Sequence, residues 1–298
     1  MNLRDLRYLV ALADARHFGH AAAKSHVSQP TLSAQIRKLE DFLGAPLVER
    51  QPRRVALTAL GERVVERARR VLTDCDDIVE LARAARDPLA GTLRVALIPT
   101  LGPYLLPSAT PALRRRLPRL QLLLYEYQTA ALLERLREGE IDVGILALGV
   151  DTEGLETRAL GTEAFMLALP PAHRLAKRPA VRTADLDGET LLLLEDGHCL
   201  REQALEVCGA ASVHEPADFR ATSLETLRQM VAAGLGVTLL PELATRGPFA
   251  AAKSVALRPF AKPAPYRTLG AAWRRSTTRA AAIAAVCDTI AAVLAARD

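Results

Sequence analysis

The 298-residue sequence contains no run that approaches the ~20 consecutive apolar residues of a membrane span. Its first residues mix charged and apolar side chains and lack the uninterrupted hydrophobic segment of a secretory signal. We therefore expect a cytoplasmic protein without a membrane partner. The chain has only four cysteines. In a reducing compartment a stable structural disulfide is not expected, whereas a transient redox disulfide can form.

Motifs of several enzyme classes are also missing. The chain has no glycine-rich phosphate-binding loop, no zinc-protease helix motif and no nucleophile elbow. His198, Cys199, Cys208 and His214 can be read as zinc ligands, but they lack the tight paired spacing of structural zinc sites. The sequence predicts neither a metal nor a cofactor, and it predicts that the protein is not an enzyme.

Two of the four cysteines, Cys199 and Cys208, lie close together in a segment that favours a helix. Asp196 and Gly197 are candidates for its cap. One continuous helix would separate the two Cα atoms by about 13 Å, whereas a disulfide needs Cα atoms within about 7 Å. The pair can bond only if the segment refolds, which indicates a switch. The alternative is that both cysteines are small buried hydrophobic residues.

The position of Cys199 in the first helical turn favours a thiolate, because the amino-terminal end of a helix carries partial positive charge. His198 and Arg201 are close in sequence and are expected to add positive potential. Three acidic residues oppose them, and these are Glu195, Asp196 and Glu202. A thiolate at Cys199 is therefore a hypothesis at this point.

The first 58 residues have the pattern of a DNA-binding domain. Helices are predicted at residues 3–15, 20–25 and from Ser28 to Gly44, and this order is that of a helix-turn-helix. Residues 47–50 and 54–57 can form a hairpin, or wing, after the third helix. Gln29 and Ser33 are suited to base edges; the residues suited to phosphate are Arg50, Arg53 and Arg54. The alternative is a small helical bundle with polar surfaces.

Residues 59–90 form a predicted linker. Thr58 caps a helix to about residue 86 whose apolar residues recur at three- and four-residue steps, as in helices that pair with a second subunit. Cys75 lies on this stripe and is interpreted as a packing residue. A symmetric dimer would suit a protein that binds paired half-sites on DNA.

From residue 91 onward, predicted strands and helices alternate, which is typical of a parallel sheet flanked by helices. Two of the strands are predicted at residues 164–169 and 191–194. We expect two α/β lobes, the first at about 91–161 and 268–298 and the second at about 162–267, with a ligand cleft between them. Thr100 and Thr129 each follow a predicted strand. Their hydroxyls can orient a small polar ligand or cap the next helix.

The whole chain resembles the LysR-type transcriptional regulators, and within that family its hydrogen-peroxide-sensing members. Residues 27–33 (VSQPTLS) and 36–40 (IRKLE) are similar to the family's recognition helix. The peroxide-sensor motifs are residues 97–107 (LIPTLGPYLLP), 194–201 (LEDGHCLR) with a cysteine at 208, and 219–227 (FRATSLETL).

This resemblance implies a fold class of α/β with an all-α N-terminal domain: a winged helix-turn-helix, a long linker helix and a two-lobed, periplasmic-binding-protein-like regulatory domain. The implied DNA-binding residues are Ser28, Gln29, Pro30, Thr31, Ser33, Arg37, Arg50, Arg53 and Arg54. The implied partners are double-stranded promoter DNA, hydrogen peroxide, RNA polymerase, a reductant such as glutaredoxin with glutathione, and further copies of the chain in a homodimer or homotetramer.

The resemblance also implies that peroxide oxidises Cys199 to a sulfenic acid, which Cys208 converts to a disulfide. It places Thr100, Thr129 and His198 in the peroxide pocket, together with an arginine, Arg267, that stabilises the thiolate. One departure is Asp218, where relatives often carry histidine.

Two other functions remain open from sequence. One is a LysR-type regulator that responds to a small organic effector in the cleft between lobes, with inert cysteines. The other is a thiol peroxidase, against which the DNA-binding end of the chain argues, since an enzyme has no use for such a module.

Overall fold

The structure is a computed structural model that describes residues 1–51, 54–84, 86–209, 213–216, 219–246 and 254–296. The chain divides into two compact units. The first comprises Met1–Arg86 with Glu138–Glu140, and the second comprises Asp87–Arg137 with Ile141–Asp298. In the part of the chain that is described, no helix has both the length and the apolar composition needed to cross a membrane.

The first unit begins with the predicted helical domain. Its elements are α1 Leu3–Ala15, α2 Phe18–Lys24, α3 Gln29–Leu43, β1 Val48–Gln51, β2 Arg54–Leu57 and α4 Ala59–Ala84. Ser28 caps α3 because its hydroxyl accepts the N–H of Thr31 at 3.3 Å. Gly44 ends α3 at φ +70°, a left-handed conformation that glycine adopts without strain. These bounds confirm the predicted helix-turn-helix and the hairpin that follows it.

The long helix α4 starts where the sequence predicted, because Thr58 Oγ1 accepts the N–H of Gly61 at 2.9 Å. Several residues of its apolar stripe are exposed, and Ile78 at 65% exposure is the clearest case. Exposed apolar residues at helical spacing are typical of a helix that pairs with another helix.

The second unit is built on one sheet. Its elements are β3 Gly91–Leu97, α5 Gly102–Arg116, β4 Leu120–Glu126, α6 Thr129–Glu138, β5 Val143–Ala147, β6 Leu155–Leu169, α7 Cys199–Cys208, α8 Leu224–Ala232, β7 Thr238–Pro241, β8 Ala256–Pro259, β9 Tyr266–Arg274 and α9 Ala280–Ala295. The strand order is β4-β3-β5-β9-β6-β7, with β8 also paired to β6. β3 runs parallel to β4 and β5, while β9 runs antiparallel to β5 and β6.

Two hydrophobic clusters lie on this sheet. The first contains β3, β5, α5 and α9 side chains, and the second contains side chains from the end of β6 and from α7 and α8. Cys199 belongs to the first cluster although Leu200, the next residue, belongs to the second. The boundaries of the two predicted lobes stay a prediction.

Two strand predictions need correction. Residues 191–194 form only isolated bridges, Leu191 to Val237 and Leu194 to Ala221, because the pairing partner changes along the segment and no ladder extends. The strand predicted at 164–169 is the end of the 15-residue β6. The four-residue strand β8 was not predicted, because it is too short to show a period.

Candidate redox site

The helix α7 runs without a break from Cys199 to Cys208, as the sequence predicted. Its N-cap is His198, whose side chain makes no capping hydrogen bond, so the predicted cap at Asp196 and Gly197 is wrong. Asp196 instead accepts from Arg201 Nε at 3.0 Å. Both cysteines are free thiols, and the helical rise keeps their Cα atoms about 13 Å apart.

The two thiols occupy different environments. Cys199 is 6% exposed and packs in the first hydrophobic cluster, whereas Cys208 is 1% exposed and packs in the second. Burial raises the pKa of Cys208 to about 11. At neutral pH, Cys208 is therefore a protonated thiol and a poor nucleophile.

The charges beside Cys199 differ from those expected from sequence. Burial lowers the pKa of His198, against the opposing effect of Glu195 and Glu202, so the imidazole is neutral at physiological pH. Arg201 Nη1 donates to Glu215 Oε1 at 2.6 Å, and this hydrogen bond raises the pKa of Arg201. His198 therefore brings no positive charge to Cys199, and that of Arg201 is offset by its carboxylate partners.

Arg267 sits in a buried network with Glu163 and Thr100. Its Nε and Nη2 both lie 2.7 Å from Glu163 Oε2, while Nη1 donates to Thr100 Oγ1 at 3.0 Å and Nη2 to the Thr100 carbonyl at 3.1 Å. Glu163 Oε1 also accepts the N–H of Leu243 at 2.7 Å. Since Thr100 Oγ1 accepts from arginine, its own hydroxyl hydrogen remains to be donated.

Thr129 is the first residue of α6 and is 7% exposed. Its hydroxyl oxygen is buried and has no hydrogen-bond partner among the described residues. An unpartnered buried hydroxyl is costly, by about 1–3 kcal/mol. The Thr129 hydroxyl is therefore suited to a small hydrogen-bonding ligand, and it does not cap α6.

The comparisons with known proteins cover both units. The family model for the LysR substrate binding domain matches residues 86–295, and that for the lysR-family bacterial regulatory helix-turn-helix protein matches residues 3–62. The chain belongs to the LysR family. It is 50% identical over 274 residues to the DNA-binding transcriptional dual regulator OxyR of Escherichia coli K12, with 92% of this chain and 90% of that protein covered.

Solved OxyR structures are similar to this LysR-family chain over nearly its whole length. Full-length OxyR from Pseudomonas aeruginosa, carrying a cysteine-to-aspartate substitution, has 41% identity and a TM-score of 0.76, with 97% of this chain and 94% of that chain covered. A Corynebacterium glutamicum OxyR mutant with hydrogen peroxide bound has 34% identity and a TM-score of 0.69, with 99% and 93% covered. These matches confirm the predicted fold class.

The predicted pocket residues of this LysR-family chain fall into two contact groups. Arg267 contacts Thr100 directly. His198, immediately before Cys199, contacts Gln128, immediately before Thr129. Neither Gln128 nor Glu163 was predicted from sequence. Glu163 is paired with Arg267 across β6 and β9, and no local pattern in the sequence indicates that register.

The predicted DNA-binding residues of the LysR-type helix-turn-helix lie along α3 and in the hairpin that follows it. Gln29, Pro30, Thr31 and Arg37 are exposed and Ser33 is half-buried. Ser28 is the helix cap, so its hydroxyl already has a structural role. The side chains of Arg50 and Arg54, and the whole of Arg53 and Asp218, lie outside the described residues.

Proposed function

We propose that this LysR-family chain is a peroxide-sensing transcriptional regulator in which Cys199 and Cys208 form a reversible redox pair. The observation that carries the proposal is the arrangement of α7. Two reduced thiols lie at opposite ends of one helix, too far apart to bond, in a chain that also carries a DNA-binding helix-turn-helix. The peroxide-inducible relatives support the choice of oxidant.

The reaction is a two-electron oxidation in two steps. The Cys199 thiolate attacks one oxygen of hydrogen peroxide, the O–O bond breaks, and a sulfenic acid and hydroxide are formed. The Cys208 sulfur then displaces hydroxide from the sulfenic acid. In total, two thiols and one peroxide give one disulfide and two waters. In this proposal Thr100, Thr129 and His198 orient the peroxide, and Arg267 stabilises the Cys199 thiolate.

The second step requires α7 to unwind. The helical rise separates the Cα atoms by about 13 Å, and a disulfide needs less than about 7 Å. Cys199 and Cys208 pack in separate hydrophobic clusters, so at least one of them leaves its cluster. This repacking is the signal that changes how the regulator binds DNA.

The wider function follows from the family. The regulator binds double-stranded promoter DNA through α3 as a homodimer or homotetramer and acts with RNA polymerase in the cytoplasm. A glutaredoxin- or glutathione-type thiol reductant returns the disulfide to thiols. The protein acts once per signal and is not a peroxidase.

Mass spectrometry after substoichiometric peroxide tests the proposal. A 199–208 disulfide is expected, with Cys75 and Cys287 unmodified as internal controls. Persistent free thiols at both positions, with DNA binding that responds to a small organic effector instead, would overturn it. Peroxide consumption by catalytic amounts of protein would show an enzyme.

Replacement of Gln29 tests the DNA interface. Because Gln29 is exposed at the start of α3, Gln29→Ala is expected to weaken specific binding more than non-specific binding. Arg53→Ala is expected to weaken both and to flatten the salt dependence. Equal specific and non-specific losses for Gln29→Ala would show that the groove assignment is wrong.

A further inference from the structure

The side chain of Gln128 joins the loop before α6 to the loop before α7. Its Nε2 donates to Glu195 Oε1 at 2.9 Å and lies 3.1 Å from His198 Nε2. The two partners, Glu195 and His198, lie three residues apart in the segment that leads directly into Cys199. The mechanism described above assigns no role to Gln128.

The Gln128 contacts determine the tautomer of His198. An amide nitrogen donates and does not accept, so His198 Nε2 must be the acceptor of the 3.1 Å contact. The reverse orientation of the amide would place its oxygen against the Glu195 carboxylate, which is also an acceptor. A neutral His198 therefore carries its proton on Nδ1.

Gly197 allows the Gln128 side chain to lie close to the backbone before α7. Its φ is +95°, and a Cβ atom at this position would lie 2.8 Å from Gln128 Oε1. The left-handed turn favours glycine, and a side chain at this position would also displace the end of the Gln128 side chain.

We propose that Gln128 is a positioning residue that holds the Glu195–Cys199 segment in its reduced conformation and fixes the His198 tautomer. This inference rests on the proposed redox function. In the proposed mechanism α7, which begins directly after His198, unwinds when the disulfide forms, and the contacts of Gln128 with His198 and Glu195 break with it. They stabilise the dithiol form and not the disulfide form.

The redox equilibrium with glutathione measures this difference. Gln128→Ala removes contacts present only in the dithiol form, so the equilibrium constant for disulfide formation is expected to rise about tenfold, a potential about 30 mV more negative. Gln229→Ala is the matched control, because Gln229 Nε2 also donates to a glutamate, Glu225 Oε1, at 2.7 Å, on the exposed face of α8. Glu195→Ala removes one of the two contacts and keeps the test available if Gln128→Ala does not fold.

An unchanged equilibrium constant in both Gln128→Ala and Glu195→Ala, or an equal rise in Gln229→Ala, overturns the holding role. A wild-type protein that forms no 199–208 disulfide overturns the proposed function instead. The two failures are therefore distinguishable.

The tautomer is tested without any oxidant. In the reduced protein labelled with ¹⁵N-histidine, we expect His198 to carry its proton on Nδ1, with the signal assigned by its loss in His198→Asn. Gln128→Glu replaces the donor by an acceptor, so Nε2 is expected to become protonated. If Gln128 had a merely structural role, the proton would stay on the same ring nitrogen in Gln128→Glu. The same tautomer in wild type and Gln128→Glu would therefore contradict the positioning role.

Discussion

The two ends of α7 differ in nearly every property that controls thiol chemistry. At Cys199 the surroundings include a neutral buried imidazole, an amide that bridges two side chains, and a hydrophobic cluster shared with Leu243, whose N–H is bound by the buried Glu163. At Cys208 the surroundings are apolar and the pKa of the thiol is about 11. In the proposed switch, this difference separates the sensing thiol from the resolving thiol until oxidation occurs.

Substitution of Cys208, the thiol with apolar surroundings, is expected to have the largest effect. In Cys208→Ser, peroxide is still expected to oxidise Cys199, because Cys199 and the proposed pocket residue His198 lie at the other end of α7. Disulfide formation is expected to be lost completely, as measured by intact-mass and peptide mass spectrometry. Cys287→Ser is the matched control, since burial raises the pKa of Cys287 to about 11 as well. A disulfide in Cys208→Ser would mean that another cysteine resolves the sulfenic acid.

The buried pair of Glu163 and Arg267 gives the second test. Glu163→Ala leaves Arg267 buried without its carboxylate partner, and the free energy of unfolding is expected to fall by about 3–5 kcal/mol. Glu156→Ala, on the same strand, breaks an exposed pair with Arg275 at 3.4 Å and is expected to cost about 0–1 kcal/mol. Urea unfolding measures both. Similar losses in the two variants would show that the network around Arg267 is not a buried charge pair.

The ionisation of Cys208 gives a smaller effect. A folded pKa of about 11 lies above the ordinary thiol value, so the stability that the buried thiol contributes is present below about pH 8.5 and is lost as pH rises through 11. At pH 8.5, alkylation of Cys208 in the Cys199→Ser variant is expected to be roughly 100-fold slower than in urea. Equal rates would place Cys208 in solvent.

The smallest effect is expected at His198. Because the folded pKa is lowered, the neutral ring stabilises the fold above pH ~6.5, and this contribution is lost as pH falls toward the folded value. Between pH 7 and 5.5, hydrogen exchange of residues 195–201 is expected to accelerate by up to about tenfold per pH unit beyond its intrinsic change. His198→Gln does not titrate in this range and is expected to show no such acceleration.

What could be predicted from sequence depended on local signals. The cap at Ser28, the glycine at Gly44 and the helix from Cys199 to Cys208 were all found correctly, because each is encoded within a few neighbouring residues. The long-range contacts of the predicted pocket residues were not predicted. Gln128 and His198 are 70 positions apart, and Glu163 and Arg267 are 104 apart. Only the register of the sheet and the packing of the loops bring them together.

Local pattern also misled in one instructive case. From their positions beside Cys199, His198 and Arg201 are expected to add positive potential. Burial keeps the first neutral, and the carboxylate of Glu215 binds the second. A charge count in sequence does not include desolvation or pairing, and both decide the electrostatics of this thiol.

Hydrogen exchange of the α7 backbone, compared before and after oxidation by one equivalent of peroxide, tests the central claim most directly. In the reduced protein, the amides from residue 203 to residue 208 are expected to be protected by helical hydrogen bonds. Once the 199–208 disulfide forms, that protection is expected to disappear. Full protection of the same amides in a protein shown to contain the disulfide would contradict the account, because the two sulfur atoms would then have met without loss of the helix.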